Sequence, residues 1–251
     1  MGEGAALIEI RDLVRTFGGV RALDGVSIAV AAGERRAVIG PNGAGKTTLI
    51  NVITGEIPPT AGVVRIAGED VTMLRPWQRA RKGLGRMYQR NELFPPLAAR
   101  DNVALALAVK AGPYRPLERV PSTQPRAADA LLERVGLAGR EGIPARELSH
   151  GERRQLELAV ALAQAPRVLL LDEPTAGMSP AETARITELI ASLDRGLTML
   201  IVEHDMDVVF RLADRIAVLH EGRVIADGPA ADVRGDVRVN EVYLGKAVAT
   251  A

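Results

Sequence analysis

The segment "RRAVIGPNGAGKTTLINVITG" constrains this chain more than any other. The apolar run "RRAVIG" reads as a short buried strand, and a glycine-rich turn follows it. "KTTLINVITG" then reads as a helix closed by Gly55. Within the segment, "GPNGAGKT" from Gly40 to Thr47 matches G-x-x-x-x-G-K-[ST] in full, in the strand–turn–helix context that makes the motif credible. Glycines let backbone N–H groups curl around a phosphate without Cβ clashes, and the helix N-terminus adds partial positive charge. The cradle would comprise Gly40, Asn42, Gly43, Gly45, Lys46, Thr47 and Thr48. Lys46 can reach the β- and γ-phosphates of a nucleotide, and the Thr47 hydroxyl can hold Mg2+.

A chain with such a loop needs an acidic strand end beside it. "RVLLLDE" supplies one, carrying Asp172 to the C-terminal edge of an apolar strand, where ligands sit in open α/β sheets. Asp172 is expected to bind Mg2+, through water. Glu173 follows without a basic neighbour in sequence, and a carboxylate there can orient or deprotonate an attacking water. His204, just past the strand "LTMLIVE", sits at another such edge and can hydrogen-bond a γ-phosphate.

Around these motifs the periodicity indicates an α/β core interrupted by a helical segment. "LIEIRDL" and "VSIAV" read as N-terminal strands, and "GVVRIAGEDV" as strand, turn, strand. From about 98 to 165 the patterns are helical, in "ARDNVALALAVK", "PRAADALLERVGL" and "GERRQLELAVALAQA". The first two are separated by the proline-rich "AGPYRPLERVPSTQP", a linker or rigid loop. Helices "PAETARITELIASLDR" and "MDVVFRLA" then alternate with strands, and "RIAVLHEGRVIADG" reads as a hairpin turning at Glu221-Gly222.

Composition narrows the function classes. A formal net charge of +1 over 251 residues argues against a general nucleic-acid binder. The absence of cysteine excludes disulfide and thiol chemistry, and the three histidines have no metal-ligand spacing. The first residues lack the basic stretch of a secretory signal, and the longest weakly polar run, "NVALALAVKAG", is too short to span a bilayer. The expected location is therefore cytosolic, with any membrane crossing done by another chain.

"GPNGAGKT", "RMYQ", "LSHGE", "VLLLDE" and "EHD", in that order, resemble the ATP-binding subunits of ABC transporters, from about residue 7 to 245. The resemblance implies a P-loop NTPase core of ABC ATPase type, with an N-terminal antiparallel β subdomain and an inserted helical subdomain. Residues 7–90 and 166–228 would form the nucleotide-binding core, 91–165 the helical subdomain and 229–251 a helical tail. It implies ATP and Mg2+ as ligands. By the same resemblance Phe17 would stack on adenine, with a core phenylalanine as the alternative, and Gln89 would approach the metal and the attacking water. Lys46, Gln89, Glu173 and His204 would then carry catalysis, with Thr47, Gln89 and Asp172 toward the metal.

"LSHGE" has two compatible readings. Ser149 and Glu152 fit S-x-x-E, a capping box at a helix start, with Leu148, Leu156, Ala159, Val160 and Ala163 on one stripe. The resemblance adds that Ser149 and Gly151 bind the γ-phosphate held by a second ATP-binding subunit, identical or paralogous, in a head-to-tail dimer. A hydrolytic triad is excluded, because side chains this close in sequence cannot converge as nucleophile, base and orienter. Three positions depart from the family pattern: His150 replaces a glycine, Glu152 a glutamine, and Ser179 an aspartate that helps couple the two sites. Activity is expected to survive these changes.

The resemblance also implies transmembrane permease subunits, an indirect periplasmic or extracellular substrate-binding protein, and a peripheral place on the cytoplasmic side of the membrane. Leu93 to Leu97 either pack inward or line the groove for a permease's coupling helix. The basic run "RPWQRARKGLGRMYQR" reads first as a solvated face and second as a contact for anionic headgroups. "LSHGERRQLELAVALA", "VEHDMDVVF" and "NEVYLGK" are similar to the importers of branched-chain (hydrophobic) amino acids and related amides. A lipopolysaccharide-export ATPase and a soluble non-transport ABC ATPase are the alternatives.

Overall fold

The computed structural model describes residues 6–88, 93–110, 124–236 and 239. The N-terminal part holds β1 (Ala6–Phe17), β2 (Val20–Ala31), β3 (Arg35–Ile39), α1 (Lys46–Thr54), β4 (Ala61–Ile66), β5 (Glu69–Asp70), α2 (Pro76–Arg81) and β6 (Leu84–Met87). The helical segment follows with α3 (Ala99–Lys110), α4 (Gln124–Arg134), a 3-10 turn at Ala145–Glu147 and α5 (His150–Ala163). The remainder is β7 (Val168–Asp172), α6 (Pro180–Ser192), β8 (Thr198–Val202), α7 (Met206–Leu212), β9 (Arg215–His220), β10 (Arg223–Pro229) and α8 (Ala230–Arg234).

Two sheets result. One is antiparallel in the order β2-β1-β4-β5, and the other runs β10-β9-β3-β8-β7-β6, parallel except for the β10 edge. The fully buried run in β7 shows how the parallel sheet divides two cores. Its side chains alternate between faces. Val168 and Leu170 enter the core shared with α1 and the antiparallel sheet, while Leu169 and Leu171 enter the core shared with α5 and α6. In β8, Leu200 and Val202 face the first core and Met199 and Ile201 the second. The phosphate-loop helix α1 lies inside the first core, burying Leu49, Ile50, Val52 and Ile53.

Three features differ from the sequence reading. The basic run is not a solvated face throughout. It contains α2 and the parallel edge strand β6, and Arg79 is 1% exposed. Arg79 donates to the carbonyls of Val52 and Ile53 at 2.6 Å each, Thr72 at 2.8 Å and Leu74 at 3.0 Å, so it caps the C-terminal end of α1. Second, α5 is buried on most sides, including Leu158, Ala161 and Leu162, because α3, α4, α6 and β6 surround it; Val160 on the expected stripe is only half-buried. Third, the inward packing that is one alternative for Leu93 to Leu97 holds only in part: Phe94, Pro95 and Pro96 are exposed, and Leu93 and Leu97 are half-buried.

Among the described residues of 98–165 there is no strand, only an isolated bridge between Ala98 and Pro144. The proline-rich linker is outside the described residues up to position 123, as are Gln89 and the expected tail at 237–238 and 240–251. No helix among the described residues is long and apolar enough to cross a membrane.

Candidate active site

Strand register assembles the site. Val202 of β8 pairs with Val38 of β3 on one side and with Asp172 of β7 on the other. Gly40, Asp172 and His204 therefore leave the same C-terminal sheet edge within two residues of a common level. The phosphate loop is wedged between other backbone segments. A Cβ at Gly40 would lie 2.2 Å from the Leu219 carbonyl oxygen, and one at Gly45 would lie 2.4 Å from that of Ala22. Gly45 also has φ +103°, in the left-handed region that disfavours side chains. The Gly222 N–H donates to the Ala44 carbonyl at 3.0 Å, so the β9–β10 turn backs the loop.

The helix starts differ in a way that matters for anion binding. Ser149, Ser179 and Asp205 cap α5, α6 and α7 with their own side chains. No side chain caps α1, whose N-cap is Gly45. Its first N–H groups are thus directed to the loop interior without a competing side-chain oxygen, as a phosphate site requires.

Lys46 is buried and donates from Nζ to the carbonyls of Gly40 at 2.6 Å and Pro41 at 3.0 Å. Burial lowers its pKa, and the Glu173 and Asp172 carboxylates oppose that shift. Thr47 and Asn42 are exposed at the loop. Asp172 is 2% exposed, and burial raises its pKa against the pull of Arg86, which donates to Oδ2 at 2.9 Å. The Asp172 carboxylate and the Thr47 hydroxyl are hard oxygen donors, which with phosphate oxygens would suit Mg2+, a cation that keeps several waters.

Glu173 has φ +47°, uncommon for a residue with a side chain. Its N–H donates to the Val202 carbonyl at 2.9 Å, and its carbonyl accepts from Arg154 at 2.7 Å. His204 is exposed, with Nδ1 3.6 Å from Glu203 Oε2. Glu203 itself is fully buried, accepting from Thr175 Oγ1 at 2.5 Å, Thr175 N at 3.1 Å and His204 N at 2.9 Å. It ties the loop after Glu173 to the loop carrying His204.

Phe17 is 45% exposed, so it is not a core phenylalanine, and the Arg15 guanidinium lies 4.4 Å from its ring centroid. Ser149 and Glu152 form the expected capping box. The Ser149 N–H donates to Glu152 Oε2 at 2.8 Å, and the Glu152 N–H donates to Ser149 Oγ at 3.2 Å. The Ser149 N–H holds the Glu152 carboxyl below the usual range. Ser149 is exposed, at the start of α5. His150 Nε2 lies 3.3 Å from the Ala176 carbonyl oxygen, a link between α5 and the loop after Glu173. Ser179 caps α6 in a second box with Glu182, whose Oε1 sits 2.9 Å from the Cβ position of Gly151.

Sequence reasoning missed Arg86, Arg154 and Glu203. Arg86 and Arg154 stand inside motifs already quoted, but they look like surface cations. Only their location at the back of the sheet edge buries them against Asp172 and Glu173. Glu203 heads "EHD" and is apolar-flanked in "LTMLIVE", which was a sign of burial.

The sequence profile of the family described as "ABC transporter" matches residues 23–176. A high-affinity branched-chain amino acid transport ATP-binding protein of Pseudomonas aeruginosa is 36% identical over 96% of this chain and 98% of its own. A methionine import ATP-binding protein of Caulobacter vibrioides is 41% identical over 98% of this chain and 71% of its own. Among solved structures, the ADP conformation of an ATP-binding cassette of an ABC transporter superposes with TM-score 0.84 at 32% identity, covering 96% of this chain and 99% of that one. A dimeric post-hydrolysis cassette bound to ADP and phosphate gives TM-score 0.78 at 26% identity, over 89% and 98%.

Proposed function

This chain belongs to the ABC transporter family of ATP-binding proteins, and from that premise we propose that it hydrolyses ATP to drive import of branched-chain or other hydrophobic amino acids, or related small amides. One observation carries the catalytic part. The shared register at Val202 brings the phosphate loop, the Asp172-Glu173 pair and His204 to one sheet edge.

The roles follow from that placement. The uncapped start of α1 and the loop N–H groups hold the phosphates, and Lys46 turns from loop carbonyls to phosphate oxygens. Thr47 and Asp172 hold Mg2+, with Gln89 toward it; when bound, the ion neutralises charge on the phosphates. Glu173 accepts the proton of the attacking water, and His204 donates to the γ-phosphate. Phe17 stacks on the base. Ser149 and Gly151 complete the site of a second ATP-binding subunit, a reading supported by the dimeric form of a similar cassette. Phosphoryl transfer asks mainly for positioning and charge neutralisation, and this residue set supplies both.

The substrate class rests on the near end-to-end match with the branched-chain relative; the methionine relative matches over only part of its own length. Phe94, Pro95 and Pro96 form an exposed apolar ridge suited to a permease's coupling helix. This reading carries with it a peripheral location on the cytoplasmic side of the membrane, with permease subunits and, indirectly, a substrate-binding protein as partners. Glu173→Gln tests the catalytic reading. Turnover should fall about 100-fold or more, and ATP should stabilise a dimer detectable by size-exclusion chromatography. A wild-type rate overturns the role. Purifying the native complex and measuring leucine against methionine uptake tests the substrate.

A further inference from the structure

Among the buried charges that the mechanism leaves unused is Arg154, on the second turn of α5 and 2% exposed. Its guanidinium makes three contacts that no other side chain combines among the described residues. Nη1 donates to the Tyr88 carbonyl at 2.6 Å and to Glu157 Oε2 at 2.8 Å, and Nη2 donates to the Glu173 carbonyl at 2.7 Å. Tyr88 immediately precedes Gln89, and Glu173 is the proposed base. One planar group on the Ser149 helix thus holds the backbone at Tyr88, next to Gln89 in sequence, and the backbone of the catalytic carboxylate.

We propose that Arg154 is a positioning residue, which sets the Glu173 carboxylate and makes its placement depend on where α5 and the Tyr88 strand end sit. The proposal rests on Glu173 being the base. The physical reason lies in the Glu173 backbone. With φ +47°, the residue occupies a conformation that the chain keeps only when its surroundings hold it. Its N–H is fixed by β8 and its carbonyl by Arg154. Those two bonds hold the peptide units on either side of the Glu173 Cα, from which the carboxylate extends. A shift of α5 or of Tyr88 would move the fork, and a displacement of about 1 Å at a reacting group can cost about 100-fold in rate. Glu157 keeps Arg154 in place. It is buried, burial raises its pKa, and the Arg154 charge opposes that rise.

Removing Arg154 alone would strand the Glu157 carboxyl, so the test uses the double variant Arg154→Met with Glu157→Gln. Arg154→Lys serves as a second variant, which keeps the charge but replaces the fork with a point donor. In both, kcat for ATP should fall about 30- to 100-fold while KM and the affinity for a fluorescent ATP analogue stay within about threefold. A merely structural lesion would lower affinity and rate together. In a Glu173→Gln background the same substitutions should lower the residual rate by less than about threefold, because the group they position is gone. Three results overturn the proposal: rates within twofold of wild type, affinity falling in step with rate, or full additivity with Glu173→Gln. If Glu173→Gln alone keeps the wild-type rate, the assignment of the base fails instead.

Discussion

Arg79→Met should loosen the phosphate-loop helix from its far end. The guanidinium donates to four carbonyls, two of them in the last turn of α1, and the side chain is 1% exposed. Methionine keeps the apolar stem but removes every donor. Each bond to a charged donor is worth about 1.5–3 kcal/mol net. Such bonds from one group are not additive, and the Val52 carbonyl keeps a donor in the Gly55 N–H at 3.2 Å. A loss of about 3–5 kcal/mol is therefore expected, since each buried carbonyl left without a donor costs about 1–3 kcal/mol and not all four are stranded. For a chain of this size that lowers Tm by about 10 °C. Scanning calorimetry measures it directly, and ATP affinity should weaken in parallel, because Lys46 and Thr47 open the same nine-residue helix. Burial lowers the Arg79 pKa to about 10. The charge is thus complete near neutrality, and the difference between wild type and variant should be flat from pH 6 to 9. Above that, the unfolded chain holds this proton more tightly than the folded one, so the group favours folding as pH rises. An Arg79→Met Tm within about 2 °C of wild type would refute the capping argument.

Phe17→Ala should weaken ATP binding about 2- to 10-fold with little change in Tm, since the ring is exposed; isothermal titration separates the two. His150→Gly should leave hydrolysis within a few-fold, because the Nε2 contact to Ala176 is one exposed hydrogen bond, and a collapse of activity would assign His150 a larger role. Glu152 and Glu182 have pKa values lowered by their capping serines, so their contribution is complete above about pH 4.3 and is lost as pH falls through the lower folded values. Asp172 and Glu157, raised by burial, act in the opposite direction, so the check is a shallower acid loss of Tm in Glu152→Gln/Glu182→Gln than in wild type. Phe94→Asp should reduce co-purification with the permease while leaving nucleotide affinity intact; unchanged co-purification counts against the ridge as a docking surface.

The sequence by itself determined the local grammar of the protein. Gly40 to Thr47, the S-x-x-E box at Ser149 and the turn at Glu221-Gly222 are short-range features, in which φ/ψ preference and capping act between neighbours. Each has the local structure its spacing indicated. The apolar run before Asp172 was legible as a strand for the same reason. The tertiary structure alone decided what depends on contacts between distant segments. Arg79, Arg86 and Arg154 read as solvated cations because the acceptors that bury them are mostly far away in sequence. Their acceptors are Val52, Asp172 and Glu173, which only the sheet register and the packing of α1 and α5 bring within hydrogen-bond reach. The phosphate loop was visible as a pattern; the shared level of Asp172 and the loops around Val38 and Val202 was not, because strand order is a property of pairing between segments far apart in the chain.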